Sequence, residues 1–100
     1  MKNLDTKETF ALAVQNHQKN DLKVAENLYN KILEIDPLHL DTHYNIGRLF
    51  SERKEYDKAI IHYEKAIQIN FNQADVHNNL GIIFKNLGEN QKAINCYKNA

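Results

Sequence analysis

Five histidines, one cysteine and a few recurring polar residues are all that this chain offers for chemistry. His43 and His77 stand 34 positions apart. On neighbouring packed helices that places them roughly 10 Å apart. Zinc ligands lie only about 2 Å from their metal, so this pair is too wide for one ion. His39 and His43 have i, i+4 spacing, but His39 falls in the turn after Pro37. The histidines therefore read as packing or solvated side chains. Cys96 has no adjacent histidine or carboxylate to activate it, and one cysteine cannot form an intramolecular disulfide or a thiolate zinc site. Glu52 with Glu55, and Glu26 with Glu34, are spaced as helix-surface charges that pair with nearby lysines. The chain lacks a glycine-rich phosphate loop, a nucleophile elbow and a paired-histidine metal motif. The expectation is no enzyme, no cofactor and no metal.

The recurring amides and carboxylates are more informative. Asn45 recurs as Asn79, and Asp41 as Asp75, at the same interval as the two histidines. An asparagine side chain both donates and accepts, so it can bond any peptide backbone without reading its sequence. Aspartates at a fixed interval could select basic or hydroxyl side chains.

The elements that must position these residues follow from the interval itself. A shift of 34 residues superposes Gly47 on Gly81, Ile46 on Leu80 and Phe50 on Phe84. Ala25, Ala59 and Ala93 fall into one column, Tyr29, Tyr63 and Tyr97 into another. Ile32, Ala66 and Ala100 form a third, and Leu12 joins Ile46 and Leu80. Within each unit the apolar positions follow i, i+4, i+7, the stripe of a helix and not the alternation of a strand. Asp5 and Glu8 are spaced as a capping box, which predicts a helix over 6–19. Asn20 and Asp21 break it. A second helix over 22–35 ends before Asp36 and Pro37, because proline denies the preceding residue the helical region. Further helices are predicted over 40–53, 56–70 and 73–87. Gly88 then suits a left-handed C-terminal cap, and a sixth helix starts near Asn90.

A helix–turn–helix unit of this length with these columns resembles the tetratricopeptide repeat, whose signature includes L-G-x-x-Y, then A-x-x-x-F and P. The first part reads Ile46-Gly47-x-x-Phe50 and Leu80-Gly81-x-x-Phe84. The second reads Ala25-x-x-x-Tyr29, Ala59-x-x-x-Tyr63 and Ala93-x-x-x-Tyr97, and Pro37 closes the first unit. The resemblance implies an all-α, right-handed α-solenoid of about six antiparallel helices, in units 6–39, 40–73 and 74–100. The last unit is cut short in its second helix. The first unit departs from the pattern with Ala13 for glycine and Asn16 for the aromatic. Phe71 replaces the proline between units two and three, and His43 and His77 stand where the family often has tryptophan.

Proteins of this family bind partners on the concave wall, which the first helix of each unit lines. Carried over, that wall comprises Phe10, Ala11, Val14 and His17 in unit one. Unit two supplies Asp41, Tyr44, Asn45 and Arg48, and unit three Asp75, Asn78, Asn79 and Ile82. Asn45 and Asn79 resemble the asparagine ladder of the repeats N-terminal to O-GlcNAc-transferase-like enzymes, which grips the backbone of an extended peptide. A clamp for the C-terminal acid of chaperone tails matches poorly, since only Arg48, Asn45 and Lys85 come near its pattern.

Thirteen basic and thirteen acidic residues cancel, which argues against electrostatic capture of nucleic acid or an anionic membrane. The tyrosines lie mostly in core columns and are not free to stack on bases. Met1 to Phe10 is charged and polar, unlike a secretory signal peptide, and the apolar run at Leu80–Phe84 is too short to span a bilayer. These features suggest a cytoplasmic protein, and the richness in Asn, Lys and Ile suggests an AT-rich bacterial genome. The expected function is a scaffold that receives a protein or peptide segment in its groove. Two alternatives stand beside it: the recognition portion of a larger glycosyltransferase or sulfotransferase, and self-association through the uncapped last repeat, where Ile94 and Tyr97 would be partly bare.

Overall fold

In a computed structural model, which describes residues 4–100, the chain folds into six helices. They are α1 (Thr6–Gln18), α2 (Leu22–Ile35), α3 (Leu40–Glu52), α4 (Tyr56–Ile69), α5 (Ala74–Asn86) and α6 (Asn90–Asn99). The predicted boundaries of the first five agree to within one residue at each end, and the sixth begins at Asn90. Residues 1–3, the start of the charged and polar stretch, lie outside the described part.

The helix starts share one column and use it in different ways. At α1 the Asp5 carboxylate accepts the Glu8 N–H at 2.7 Å. At α3 the His39 ring takes over that task, its Nδ1 accepting from the Thr42 N–H at 3.3 Å and from the Thr42 hydroxyl at 2.8 Å. Gln73 occupies the same place before α5 without a side-chain cap; its amide instead donates to the Ala66 and Asn70 carbonyls.

The stops repeat more strictly. Asn20, Lys54 and Gly88, each 34 residues from the next, all adopt positive φ, at 66°, 62° and 77°. Each is followed by an N–H that reaches back five residues: Asp21 to Asn16, Glu55 to Phe50 and Glu89 to Phe84. These are Schellman closures, which reverse the chain after α1, α3 and α5 and satisfy carbonyls that the helix leaves free.

The reversals fold α1 onto α2, α3 onto α4 and α5 onto α6, and the resulting hairpins stack through α2 on α3 and α4 on α5. The stack is elongated, 51 × 25 × 17 Å. Its core is the set of repeating columns: Ala25, Tyr29, Ile46, Leu49, Ala59, Tyr63, Ala66, Val76 and Leu80 are all buried. Close approach inside a hairpin depends on glycine. A Cβ at Gly47 would lie 2.6 Å from the Tyr63 ring, and one at Gly81 2.5 Å from that of Tyr97. The ring takes the space that the missing side chain leaves.

Polar contacts tie the first two hairpins together. Arg53, just past α3, donates to Glu26 on α2 at 2.6 Å. His17 on α1 reaches Glu52 on α3 at 2.9 Å. The expectation that lysines partner Glu26 and Glu52 is therefore corrected. Arginine and histidine from a neighbouring hairpin do so, because stacking brings them within hydrogen-bond distance. Glu55 does pair with Lys58, at 3.6 Å.

Candidate peptide-binding groove

The residues singled out for the concave wall lie on α1, α3 and α5. Two clefts open between α3 and α5. The first, about 280 Å³, is lined by Arg48, Ser51, Glu52, Tyr56, Tyr63, Asn79, Ile82, Ile83 and Asn86. The second, about 300 Å³, lies at the starts of the same helices, among Leu40, Asp41, Tyr44, Gln73, Ala74, Asp75 and Val76. The structure thus brings Asp41, Tyr44 and Asp75 into one cleft, and Arg48, Asn79 and Ile82 into the other.

On α1 the picture differs. Phe10 packs on Tyr29 and on His39, with ring centroids 6.2 and 5.4 Å apart, and Val14 is half-buried. Both nitrogens of His17 are used inside the chain. Its Nε2–H donates to Glu52 at 2.9 Å, and its Nδ1 shares a hydrogen bond with the Tyr29 hydroxyl at 3.0 Å. This histidine shapes the wall and offers no spare ring nitrogen to a ligand. Asn78 is exposed.

The two asparagines are also partly engaged. The Asn79 amide nitrogen lies 3.4 Å from the hydroxyls of both Tyr44 and Tyr63, and Asn45 lies against the Tyr29 phenol. Buried phenols resist ionisation because the low-dielectric surroundings penalise the phenolate. Burial pushes both Tyr29 and Tyr63 up to about 12. They therefore stay neutral partners for the amides at any physiological pH. The Asn79 side-chain oxygen keeps its accepting capacity for a ligand. Arg48 rests over the Tyr44 ring, 5.9 Å from its centroid, and forms no ion pair within 4 Å among the described residues.

Behind the groove lies a contact that spacing along one helix does not reveal. His43 is 5% exposed, and its Nε2–H donates to the Pro37 carbonyl at 2.8 Å. A carbonyl can only accept, so His43 Nε2 carries a proton. His62, on α4, faces the other side of that ring, with 3.1 Å between the two Nδ1 atoms. Burial, with His43 and Lys65 adding to it, lowers the His62 pKa from 6.5 to about 4. The signal was present in sequence: in a hairpin of this length, a residue early in one helix meets one midway along the next. His77 repeats the first bond, donating Nε2–H to the Phe71 carbonyl at 2.8 Å. Its ring meets that of Phe71 edge-on at 4.8 Å, and Cys96 stands in the column of His62. Burial and the nearby Glu64 raise the Cys96 pKa, so the thiol is the less reactive for it. Among the described residues no group of three or more metal-ligating side chains gathers, and no helix is long and apolar enough to cross a membrane.

Stacked helical hairpins with an inner wall of first helices define a helical-repeat protein of the protein-interaction class. Comparison with family models makes this specific. Residues 28–61 match the model described as tetratricopeptide repeat, and residues 47–88 the one described as TPR repeat. Together they take in more than half of the chain, which belongs to the tetratricopeptide-repeat family. Comparison with curated protein sequences gives no match. Among solved structures, the chain is similar in fold to the crystal structure of MamA, with a TM-score of 0.91 and 21% identity over 95% of this chain and 56% of that one. A second MamA crystal structure gives 0.90 and 21% over 95% and 52%. A third MamA structure gives 0.84 and 20% over 95% and 55%. The chain spans little more than half the length of these three, and at this identity the likeness concerns fold alone.

Proposed function

We propose that the wall formed by α1, α3 and α5 receives an extended peptide or protein segment, in units 6–39, 40–73 and 74–100. The observation that carries this reading is the pair of clefts between α3 and α5, lined by Asp41, Tyr44 and Asp75 on one side and Arg48, Asn79 and Ile82 on the other. Asn45 and Asn79 act as rungs in the manner of the amide ladders in O-GlcNAc-transferase-like repeats. With its nitrogen turned to the tyrosines, Asn79 contributes chiefly its oxygen, which accepts a backbone N–H of the segment. Each such bond contributes roughly 0.5–1.5 kcal/mol. The N45A/N79A double variant should therefore bind peptides from a captured pool about ten times more weakly, measured well below a thermal melt that falls because the Tyr29 and Tyr63 hydroxyls lose amide partners. Unchanged affinity would rule the ladder out.

A second reading is favoured by the far end of the stack. Ile94 and Tyr97 are 47% and 42% exposed, apolar surface of the kind that stacked repeats ordinarily cover. Through that face the chain associates with another copy or with a further helical hairpin, including one in a larger recognition protein. Sedimentation across a dilution series tests the copy: the monomer mass of 11.7 kDa at every concentration excludes it.

A further inference from the structure

The cleft at the starts of α3 and α5 has a composition that points to a particular side chain. Its wall is largely carbon, from Leu40, Tyr44, Ala74 and Val76, and its volume is about 300 Å³. Asp41 and Asp75 both line it and are both exposed. Neither carboxylate forms an ion pair within 4 Å among the described residues. Each lies in the first turn of its helix, where a negative charge complements the helix dipole. Tyr44 adds an aromatic face that already takes one cation, the Arg48 guanidinium.

A side chain with an aliphatic stem and a charged head satisfies this arrangement: the stem covers Leu40 and Ala74 while the head is drawn to the two carboxylates. A hydroxyl side chain is too short to do both. An acidic side chain would be repelled here. We propose that the cleft between Asp41 and Asp75 is a subsite for a lysine or arginine side chain of the bound segment. This rests on the groove reading above and adds to it the chemical class of one ligand residue.

Capped single amino acids serve as probes for the subsite alone. N-acetyl-arginine methylamide, with its lysine, serine and glutamine counterparts, is titrated into the full chain while the backbone amides of 40–44 and 74–76 are followed by NMR. The two basic probes should shift these amides at concentrations about five- to tenfold lower than glutamine or serine, as two exposed charge pairs allow. The D41N/D75N variant should erase that difference, and added salt should shrink it. Equal titrations for arginine and glutamine, an unaltered arginine titration in D41N/D75N, or no shift with arginine would each overturn the subsite. Peptide capture is read separately. Peptides retained whether or not they carry basic residues preserve the groove and remove the subsite. Capped arginine bound here by a chain that captures no peptide does the reverse.

Discussion

Hairpins α3–α4 and α5–α6 carry the same columns of residues in different surroundings. In both, a tyrosine ring fills the gap beside a glycine, Tyr63 against Gly47 and Tyr97 against Gly81. In both, a buried histidine donates to the carbonyl six residues before it, at 2.8 Å. Yet Tyr63 is 1% exposed and Tyr97 42%. The difference is cover: α5 packs over α4, whereas α6 is the last described helix and no hairpin packs over it. The repeat pattern thus sets how closely two helices approach, and the next hairpin decides whether what lies between them becomes core.

Truncating the two rings is the strongest way to test that distinction. Tyr63→Ala removes a fully buried aromatic and should cost about 3–5 kcal/mol, the range for large aromatics in cores. Tyr97→Ala should cost about 1 kcal/mol or less, since much of that ring is already in water. Urea melts of the two variants decide the matter. Similar losses would mean that the second hairpin gains little from its cover.

A smaller effect separates the histidines. The folded chain holds His62 at about 4, whereas the unfolded chain titrates near 6.5. Between those values the unfolded state binds the extra proton and the folded state does not, so stability rises with pH there. The contribution of His62 is complete above about pH 6.5 and is lost as the pH drops toward 4. Discounted for its partial exposure, the effect is on the order of 1–2 kcal/mol. Replacing His62 with leucine, the residue of the same column in the first hairpin, should flatten the stability profile over this window. Parallel profiles for the two proteins would show that the His43–His62 contact is not sensitive to protonation.

Much of the fold was legible from the residues in order. The thirty-four-residue interval, the capping Asp5, the break at Asn20 and the glycine at position 88 place the helix ends, because these signals act within a turn or two of chain. Lys54 was less obvious. It takes the same left-handed conformation without being glycine or asparagine, imposed by the closure that its neighbours make. Of the proposed site, the pairing by interval was legible: Asp41 with Asp75, and Arg48 with Asn79, line shared clefts. Its hydrogen bonding was not. That His17 bridges Tyr29 and Glu52, and that Asn79 turns its nitrogen to two tyrosines, depends on distances between helices separated in the chain.

Periodicity and local propensity determined the hairpin, since both halves of it are encoded within one interval and joined by three-residue turns. Stacking decided which tyrosine is core and which amide meets the tyrosine hydroxyls of a neighbouring hairpin. Those outcomes belong to surfaces brought together only after the hairpins form, where a shift of an ångström makes or breaks a hydrogen bond.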